Sequence, residues 1–218
     1  MTQRSQKKPP APTGRNRSTL WWSLGGLVGL ALIVLLAISI AGEEEIDASI
    51  GFGEITMEGD PLPVLADPVN DVATGLTAPS VSGADWEDNA YSIGPDGTPK
   101  LLVFLAHWCP HCQAEVPVIQ QWLDDGGLPE GVDIYGLTVA TDRLRPNWPP
   151  QDWLVQAGWT PPVIMDDEIG TAAVAFGMAG TPMYVVLDGE NNVLQRVSGE
   201  IGVDGLNTLS QIALESAG

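Results

Sequence analysis

Residues 100–125 read KLLVFLAHWCPHCQAEVPVIQQWLDD, and this stretch decides the fold of the chain. Its first seven residues form a nearly continuous apolar run, which is typical of a strand buried on both faces of a sheet. In its second half Val116, Ile119 and Leu123 recur at helical intervals before a glycine pair. The pattern therefore predicts a central strand followed by a helix, with a CxxC pair at the junction.

The two cysteines of this pair are the only ones in the chain, and a helix start suits their chemistry. If Cys109 is the N-cap residue, Pro110 takes the first helical position, where its missing N–H is tolerated. Unpaired amides and the positive end of the helix dipole then favour the thiolate of Cys109, the form that attacks disulfides. Cys112 lies one turn further along the same face. We therefore expect Cys109 to be the nucleophile and Cys112 the resolving thiol of a two-electron exchange that needs no cofactor.

Two other interpretations of the cysteines compete with redox chemistry. In the first, both are inert thiols buried in the core. In the second, His107, Cys109, His111 and Cys112 ligate zinc, although structural zinc sites usually combine two separated ligand pairs. Four ligands within six residues do not easily surround a tetrahedral ion, so we expect no metal at this site.

The sequence after the CxxC pair continues as an α/β pattern. Apolar runs predict strands at 132–140, 162–165, 183–187 and 193–197, and helical spacing predicts helices at 151–157, 171–176 and 203–216. Alternating strands and helices of this kind form a mixed sheet flanked by helices.

From about residue 78 to its C-terminus the chain resembles the TlpA/ResA branch of the thioredoxin superfamily, whose members are membrane-anchored thiol-disulfide oxidoreductases. The resemblance implies a thioredoxin-like domain over residues 78–218. It is carried by Ala78-Pro79, by Trp108-Cys109-Pro110-His111-Cys112 with Glu115 and Pro117, and by Gly180-Thr181-Pro182.

The resemblance also implies roles for residues outside the cysteine pair. Pro182 is expected to form a cis peptide bond beside the CxxC turn, with the backbone of Thr181 pairing with an incoming partner. Glu115 is expected to assist proton transfer at Cys112. Without the resemblance, Pro182 is a strand-entry proline and Glu115 a surface residue that complements the helix dipole. Where thioredoxin has a buried Asp, this chain has Val103, which leaves proton handling to Glu115 or water.

Trp108, Pro110 and His111 adjoin the cysteines and are expected to tune their redox potential. The dipeptide Pro110-His111 is similar to that of DsbA-type oxidases, whereas the TlpA/ResA group commonly contains reductants. A protonated His beside the thiolate stabilises the reduced form, and that makes the disulfide a stronger oxidant. The direction of electron flow stays open on these grounds.

The N-terminal part of the chain predicts a membrane anchor. Residues 20–41 carry no charge and are long enough to cross a bilayer. Five basic residues precede them, so residues 1–19 are expected to be a disordered cytoplasmic tail and the rest to lie outside the cytoplasm. A cleaved signal peptide is the alternative, and it leads to the same compartment. Residues 42–77, acidic at first and then rich in Gly, Pro and Asp, are expected to be a spacer with one or two short strands.

The charge distribution limits the partners that the domain can have. All 28 acidic residues follow position 41, and the net charge of the chain is −19, so we expect no nucleic-acid binding. Protein thiols or disulfides are the expected substrates, either for disulfide formation and isomerisation or for reduction, as in cytochrome c maturation. A membrane redox partner would regenerate the pair. A non-catalytic thioredoxin-like binding module and a peroxiredoxin-like peroxidase are the alternatives.

Overall fold

The computed structural model describes residues 51–217, which contain two β-sheets. The smaller sheet is antiparallel and consists of β1 (Thr56–Glu58), β2 (Ser80–Ala84) and β3 (Ala90–Ile93). The larger sheet consists of β4 (Lys100–Leu105), β5 (Asp133–Thr138), β6 (Val163–Met165), β7 (Met183–Leu187) and β8 (Val193–Ser198). Its spatial order is β6-β5-β4-β7-β8. β4 pairs in parallel with β5 and antiparallel with β7, so the sheet is mixed, as predicted.

Four helices complete this part of the chain: α1 (Pro110–Asp124), α2 (Pro150–Gln156), α3 (Thr171–Ala175) and α4 (Gly202–Ser216). Two hydrophobic clusters form, one containing side chains of α1 and α4 and the other containing side chains of α3. Successive residues of β4 contribute to different clusters: Leu101 and Val103 to the first, Leu102 and Phe104 to the second. The central strand is therefore buried on both faces, which explains its uninterrupted apolar sequence.

The described part of the predicted spacer is not a free linker, and this expectation is corrected. β1 pairs with β2, and Leu62, Leu65 and Ala73 are buried in the cluster that contains α3. The residues between 51 and 77 lack a regular period because their contacts lie far along the chain. Leu62 N donates to Ala175 O and Leu65 N to Gly177 O, at 2.9 and 3.0 Å. The domain therefore begins before the predicted boundary at residue 78.

A buried ion pair fixes this segment to the sheet. Arg196 of β8 is fully buried, and its Nε and Nη2 atoms donate to the two carboxylate oxygens of Asp71 at 2.7 and 2.6 Å. Its Nη1 atom donates to the carbonyl oxygens of Pro63 and Phe176. A buried guanidinium needs such partners, because desolvation of an unpaired charge costs several kcal/mol.

Among residues 51–217, no helix is both long enough and apolar enough to cross a membrane. The span predicted at 20–41 and the tail predicted at 1–19 lie outside the described residues.

Asp71→Asn is expected to lower the free energy of unfolding by about 3–5 kcal/mol, because it leaves the Arg196 charge buried without its partner. Hydrogen bonding to Arg196 lowers the pKa of Asp71 despite its burial. The stability that this carboxylate contributes is therefore present above about pH 3.9 and is lost as the pH falls below its ordinary pKa. Urea unfolding at pH 7 and pH 3 measures both effects.

The exposed Asp60 of the same segment provides the matched control, Asp60→Asn. If the two variants lose the same stability at pH 7, the segment is not held by the ion pair.

Candidate redox site

The strand-to-helix turn places Cys109 at the N-cap of α1, as the sequence predicts. Cys109 has extended backbone angles, φ −76° and ψ 120°, and Pro110 occupies the first helical turn. The amide of Gln113 donates to the carbonyl of Cys109 at 3.0 Å, which is the first hydrogen bond of the helix. β4 ends four residues earlier, so a strand buried on both faces fixes where this turn begins.

Cys109 is nearly buried, yet the pKa of its thiol is lowered. Burial raises the pKa of Cys109, but hydrogen bonding by the Thr181 side chain, the Cys112 amide and thiol, and the His111 amide outweighs it, and the pKa is lowered. The side chain of Cys109 is 6% exposed. These amides belong to the first turn of α1, where their N–H groups have no partner within the helix. The site therefore stabilises a thiolate at Cys109.

Cys112 lies one turn further along α1 and differs from Cys109 in its environment. Its side chain is fully buried, and this burial raises its pKa to about 12. Both thiols are free, so the structure shows the reduced pair. The two thiols therefore differ in acidity, with Cys109 the more acidic.

The loop before β7 faces the nucleophilic sulfur. The Thr181–Pro182 peptide bond is cis, as the resemblance implies. The Cys109 Sγ atom lies 3.3 Å from the carbonyl oxygen of Thr181. Thr181 is partly exposed and Pro182 is buried. The structure thus brings Cys109 into contact with Thr181, which lies 72 positions further along the sequence.

Trp108 and His107 attach a second loop, residues 140–150, to the active-site turn. The indole N–H of Trp108 donates to Ala140 O at 2.8 Å, and the guanidinium of Arg145 lies 4.8 Å above its ring. His107 is buried, with Nδ1 lying 2.8 Å from Pro146 O and Nε2 accepting from the amide of Asp142 at 3.2 Å. These contacts describe a neutral imidazole, in agreement with a pKa that burial lowers. They also occupy both ring nitrogens of His107, one of which would have to be free to bind zinc.

His111 points to solvent and pairs with an acidic residue that the sequence analysis missed. Its Nδ1 atom lies 2.5 Å from Oε1 of Glu200, and this contact raises the pKa of His111. Glu200 lies between β8 and α4, 89 positions from His111. No local pattern marks such a residue, because only the fold brings the two segments together.

Glu115 is buried and connects three elements of the fold. Its Oε1 atom accepts hydrogen bonds from Tyr184 OH at 2.9 Å, from Ile201 N at 3.0 Å and from Gly202 N at 2.9 Å. The carboxylate therefore joins α1 to β7 and satisfies amides at the start of α4. Burial and the neighbouring carboxylate raise the pKa of Tyr184, with a smaller effect of Cys112, so the phenol stays protonated and donates. Glu115 is not the surface residue that its position in the helix alone suggests.

Alkylation at pH 7 is expected to modify Cys109 and leave Cys112 unmodified. Burial raises the pKa of Cys112 to about 12, whereas the pKa of Cys109 lies below the ordinary value of a thiol, so at pH 7 the thiolate fraction of Cys109 is far larger than that of Cys112. Peptide mass mapping after a short iodoacetamide pulse on the reduced chain measures the labelling. Cys112→Ser should label like the wild type and Cys109→Ser should not label; equal labelling of the two sulfurs would contradict the asymmetry.

Comparisons with known proteins agree with this geometry. The redoxin family model matches residues 73–209. A thiol:disulfide interchange protein DsbE from Haemophilus influenzae is 31% identical over 118 residues, which is 53% of this chain and 60% of that protein. The chain thus spans only about three-fifths of the length of that curated relative.

Solved structures show the same fold. A thiol:disulfide interchange protein DsbE from Chlorobium tepidum superposes with a TM-score of 0.54 at 20% identity, covering 66% of this chain and 98% of that one. The structure of MTB dsbF superposes with a TM-score of 0.50 at 25% identity, covering 60% and 92%. These matches confirm the thioredoxin-like fold. Together with the redoxin family model and the DsbE relative, they support the resemblance to TlpA/ResA-like thiol-disulfide oxidoreductases. Since the family model covers well over half of the sequence, the chain belongs to the redoxin family.

Proposed function

We propose that this chain is an extracytoplasmic thiol-disulfide oxidoreductase that exchanges disulfides with protein substrates through Cys109 and Cys112. One observation carries the proposal: the Cys109 sulfur lies at the amino end of α1, beside Thr181, with a lowered pKa. Its relatives are named thiol:disulfide interchange proteins, which supports the same activity.

The exchange proceeds in two steps through a mixed disulfide. In the reducing direction the Cys109 thiolate attacks a substrate disulfide, forms a Cys109–substrate disulfide and releases one substrate thiolate. Cys112 then loses its proton and attacks the Cys109 sulfur. The Cys109–Cys112 disulfide forms and the second substrate thiolate leaves, so two electrons pass to the substrate. Oxidation of a substrate dithiol follows the same steps in reverse.

The second step needs help, because burial raises the pKa of Cys112 to about 12 and its thiol does not ionise at neutral pH. Glu115 lies three residues beyond Cys112 in α1, and Tyr184 contacts the Glu115 carboxylate. We assign Glu115 to assist proton removal from Cys112, with Tyr184 as the neighbouring donor. Val103 stands where thioredoxin has a buried Asp, and it pairs with Tyr184 between β4 and β7. Its side chain cannot accept a proton.

The residues around the cysteines suit a protein substrate. The partly exposed backbone at Thr181, before the buried Pro182, offers hydrogen-bonding groups to an extended segment that carries the reacting cysteine. Trp108, Pro110 and His111 surround Cys109 and set its redox potential. Disulfide formation or isomerisation and thiol reduction, including reduction for cytochrome c maturation, are the substrate reactions that fit. Net formation and net reduction of substrate disulfides each require a redox partner, which we place in the membrane, to regenerate the pair, because Cys109 and Cys112 are the only cysteines of the chain.

Cys112→Ala is expected to accumulate mixed disulfides with its substrates in cells, because the first step still occurs and resolution does not. Non-reducing electrophoresis followed by mass spectrometry identifies the trapped proteins, and reduction releases them. In vitro, insulin reduction by the wild-type chain should fall to the uncatalysed rate in Cys109→Ser.

The double variant Cys109→Ser with Cys112→Ala is the matched control and should trap nothing. Partner capture that survives in this control would indicate a non-catalytic binding module. Consumption of peroxide without insulin reduction would indicate a peroxidase. Either result would overturn the proposed exchange.

We further propose that residues 20–41 anchor the domain in the cell membrane. Their uncharged sequence and the five preceding basic residues favour a single span, with residues 1–19 in the cytoplasm and the domain outside. Residues 42 to about 50 then form the link to the folded part. The acidic surface of the domain keeps it soluble outside the cytoplasm.

The full chain is expected to stay in the membrane fraction after an alkaline carbonate wash and to be released by detergent. A chain beginning at residue 42 is expected in the soluble fraction. Intact mass of the full-length product separates anchoring from cleavage, because a processed protein lacks the first 41 residues. Full-length protein recovered in the carbonate supernatant would refute the anchor.

A further inference from the structure

The segment between β8 and α4 carries a carboxylate that contacts the active-site helix. Glu200 Oε1 lies 2.5 Å from Nδ1 of His111, one of the two residues between the cysteines. The two side chains remain 44% and 70% exposed, respectively. Exposed ion pairs contribute little to folding stability. This pair is therefore expected to affect the neighbouring Cys109 sulfur more than the stability of the fold.

The backbone on both sides of Glu200 is held by groups of the redox site. Before it, the amide of Gly199 donates to Pro182 O at 2.8 Å. After it, the amides of Ile201 and Gly202 donate to the buried Glu115. Glu200 thus reaches His111 from a fixed backbone, which reduces the entropy that a surface ion pair loses when it forms.

Two titratable groups of the described residues act on the His111 imidazole. Hydrogen bonding and charge at Glu200 raise the pKa of His111, and the Cys109 thiolate on its own helix acts in the same direction. Desolvation of His111 lowers its pKa, but by less than Glu200 raises it. The imidazole therefore keeps its proton at higher pH than a free histidine, with a pKa above the ordinary value of about 6.5.

We propose that Glu200 is a positioning residue of the redox site, whose carboxylate holds the charged imidazole of His111, two residues from Cys109 in the first turn of α1. Through His111 it favours the ionised, reduced form of the pair at neutral pH. Glu200 touches neither the substrate nor the reacting sulfur, and its action passes entirely through His111. The inference rests on the proposed redox function.

The proposal predicts an effect of unusual sign. Removing a negative charge near a thiolate ordinarily makes the thiolate easier to form. Glu200→Gln is expected to do the opposite at pH 7.5, because the imidazole loses the proton that stabilises the sulfur. At pH 5.5 the imidazole is protonated without Glu200, so the ordinary sign should return.

The experiment measures the iodoacetamide reaction of Cys109 in the full, reduced chain between pH 5.5 and pH 8.5. We expect Glu200→Gln to react about three- to tenfold more slowly than the wild type at pH 7.5 and at least as fast at pH 5.5. The equilibrium constant with glutathione at pH 7.5 should shift by a similar factor toward the disulfide. NMR titration follows the imidazole directly, since His107 and His111 are the only histidines.

A double-mutant cycle separates the role of His111 from a general charge effect. In a His111→Gln background, Glu200→Gln should no longer slow the reaction at pH 7.5. Glu190→Gln is the matched control, because Glu190 is exposed in the turn at the other end of the β7–β8 hairpin. It should leave the rate and the urea unfolding midpoint unchanged.

An unchanged or faster reaction of Glu200→Gln at pH 7.5 would overturn the proposal, as would an equal slowing in the His111→Gln background. Alkylation needs no protein substrate, so this outcome is independent of the insulin and trapping assays. If insulin reduction fails while the double-mutant cycle gives the expected result, the proposed redox function is refuted and the effect of Glu200 on the Cys109 thiolate is confirmed.

Discussion

The position of the Cys109 sulfur at the amino end of α1 is the interaction on which the rest of the site depends. Burial alone would keep this thiol protonated, because an anion is costly away from water. Amides of the first helical turn and the Thr181 side chain reverse that effect and lower its pKa. One turn further, burial dominates and raises the pKa of Cys112 to about 12. A single helix start thus creates one reactive and one protected sulfur.

Three segments that are distant in sequence converge on this helix start, which directly follows β4. The carbonyl oxygen of Thr181 contacts the Cys109 sulfur. His107 and Trp108 hold residues 140–150, and Glu115 holds residues 199–202. The buried Glu115 carboxylate has a central place among them. It fixes the start of α4 and, through the adjoining backbone, the residue that pairs with His111.

Much of the fold could be predicted because burial within a regular strand or helix produces a recognisable sequence pattern. The apolar run of β4, the helical spacing in α1 and the CxxC pair between them each follow from contacts that repeat along the chain. The segment before residue 78 has no such pattern. Its buried residues are isolated in a stretch rich in Pro, Gly and Asp, and Asp71 meets Arg196 only across 125 positions of sequence. The predicted spacer was wrong there for this reason.

The sequence by itself determined the chemistry available to this protein: two cysteines at helical spacing, a proline that permits the helix to start between them, and a strand that buries the junction. The tertiary structure alone decided how that chemistry is tuned. It placed Thr181 against the sulfur, buried Glu115 among three donors and paired His111 with Glu200. Periodicity reports contacts within an element, whereas the pKa of a thiol depends on whichever groups surround it in space.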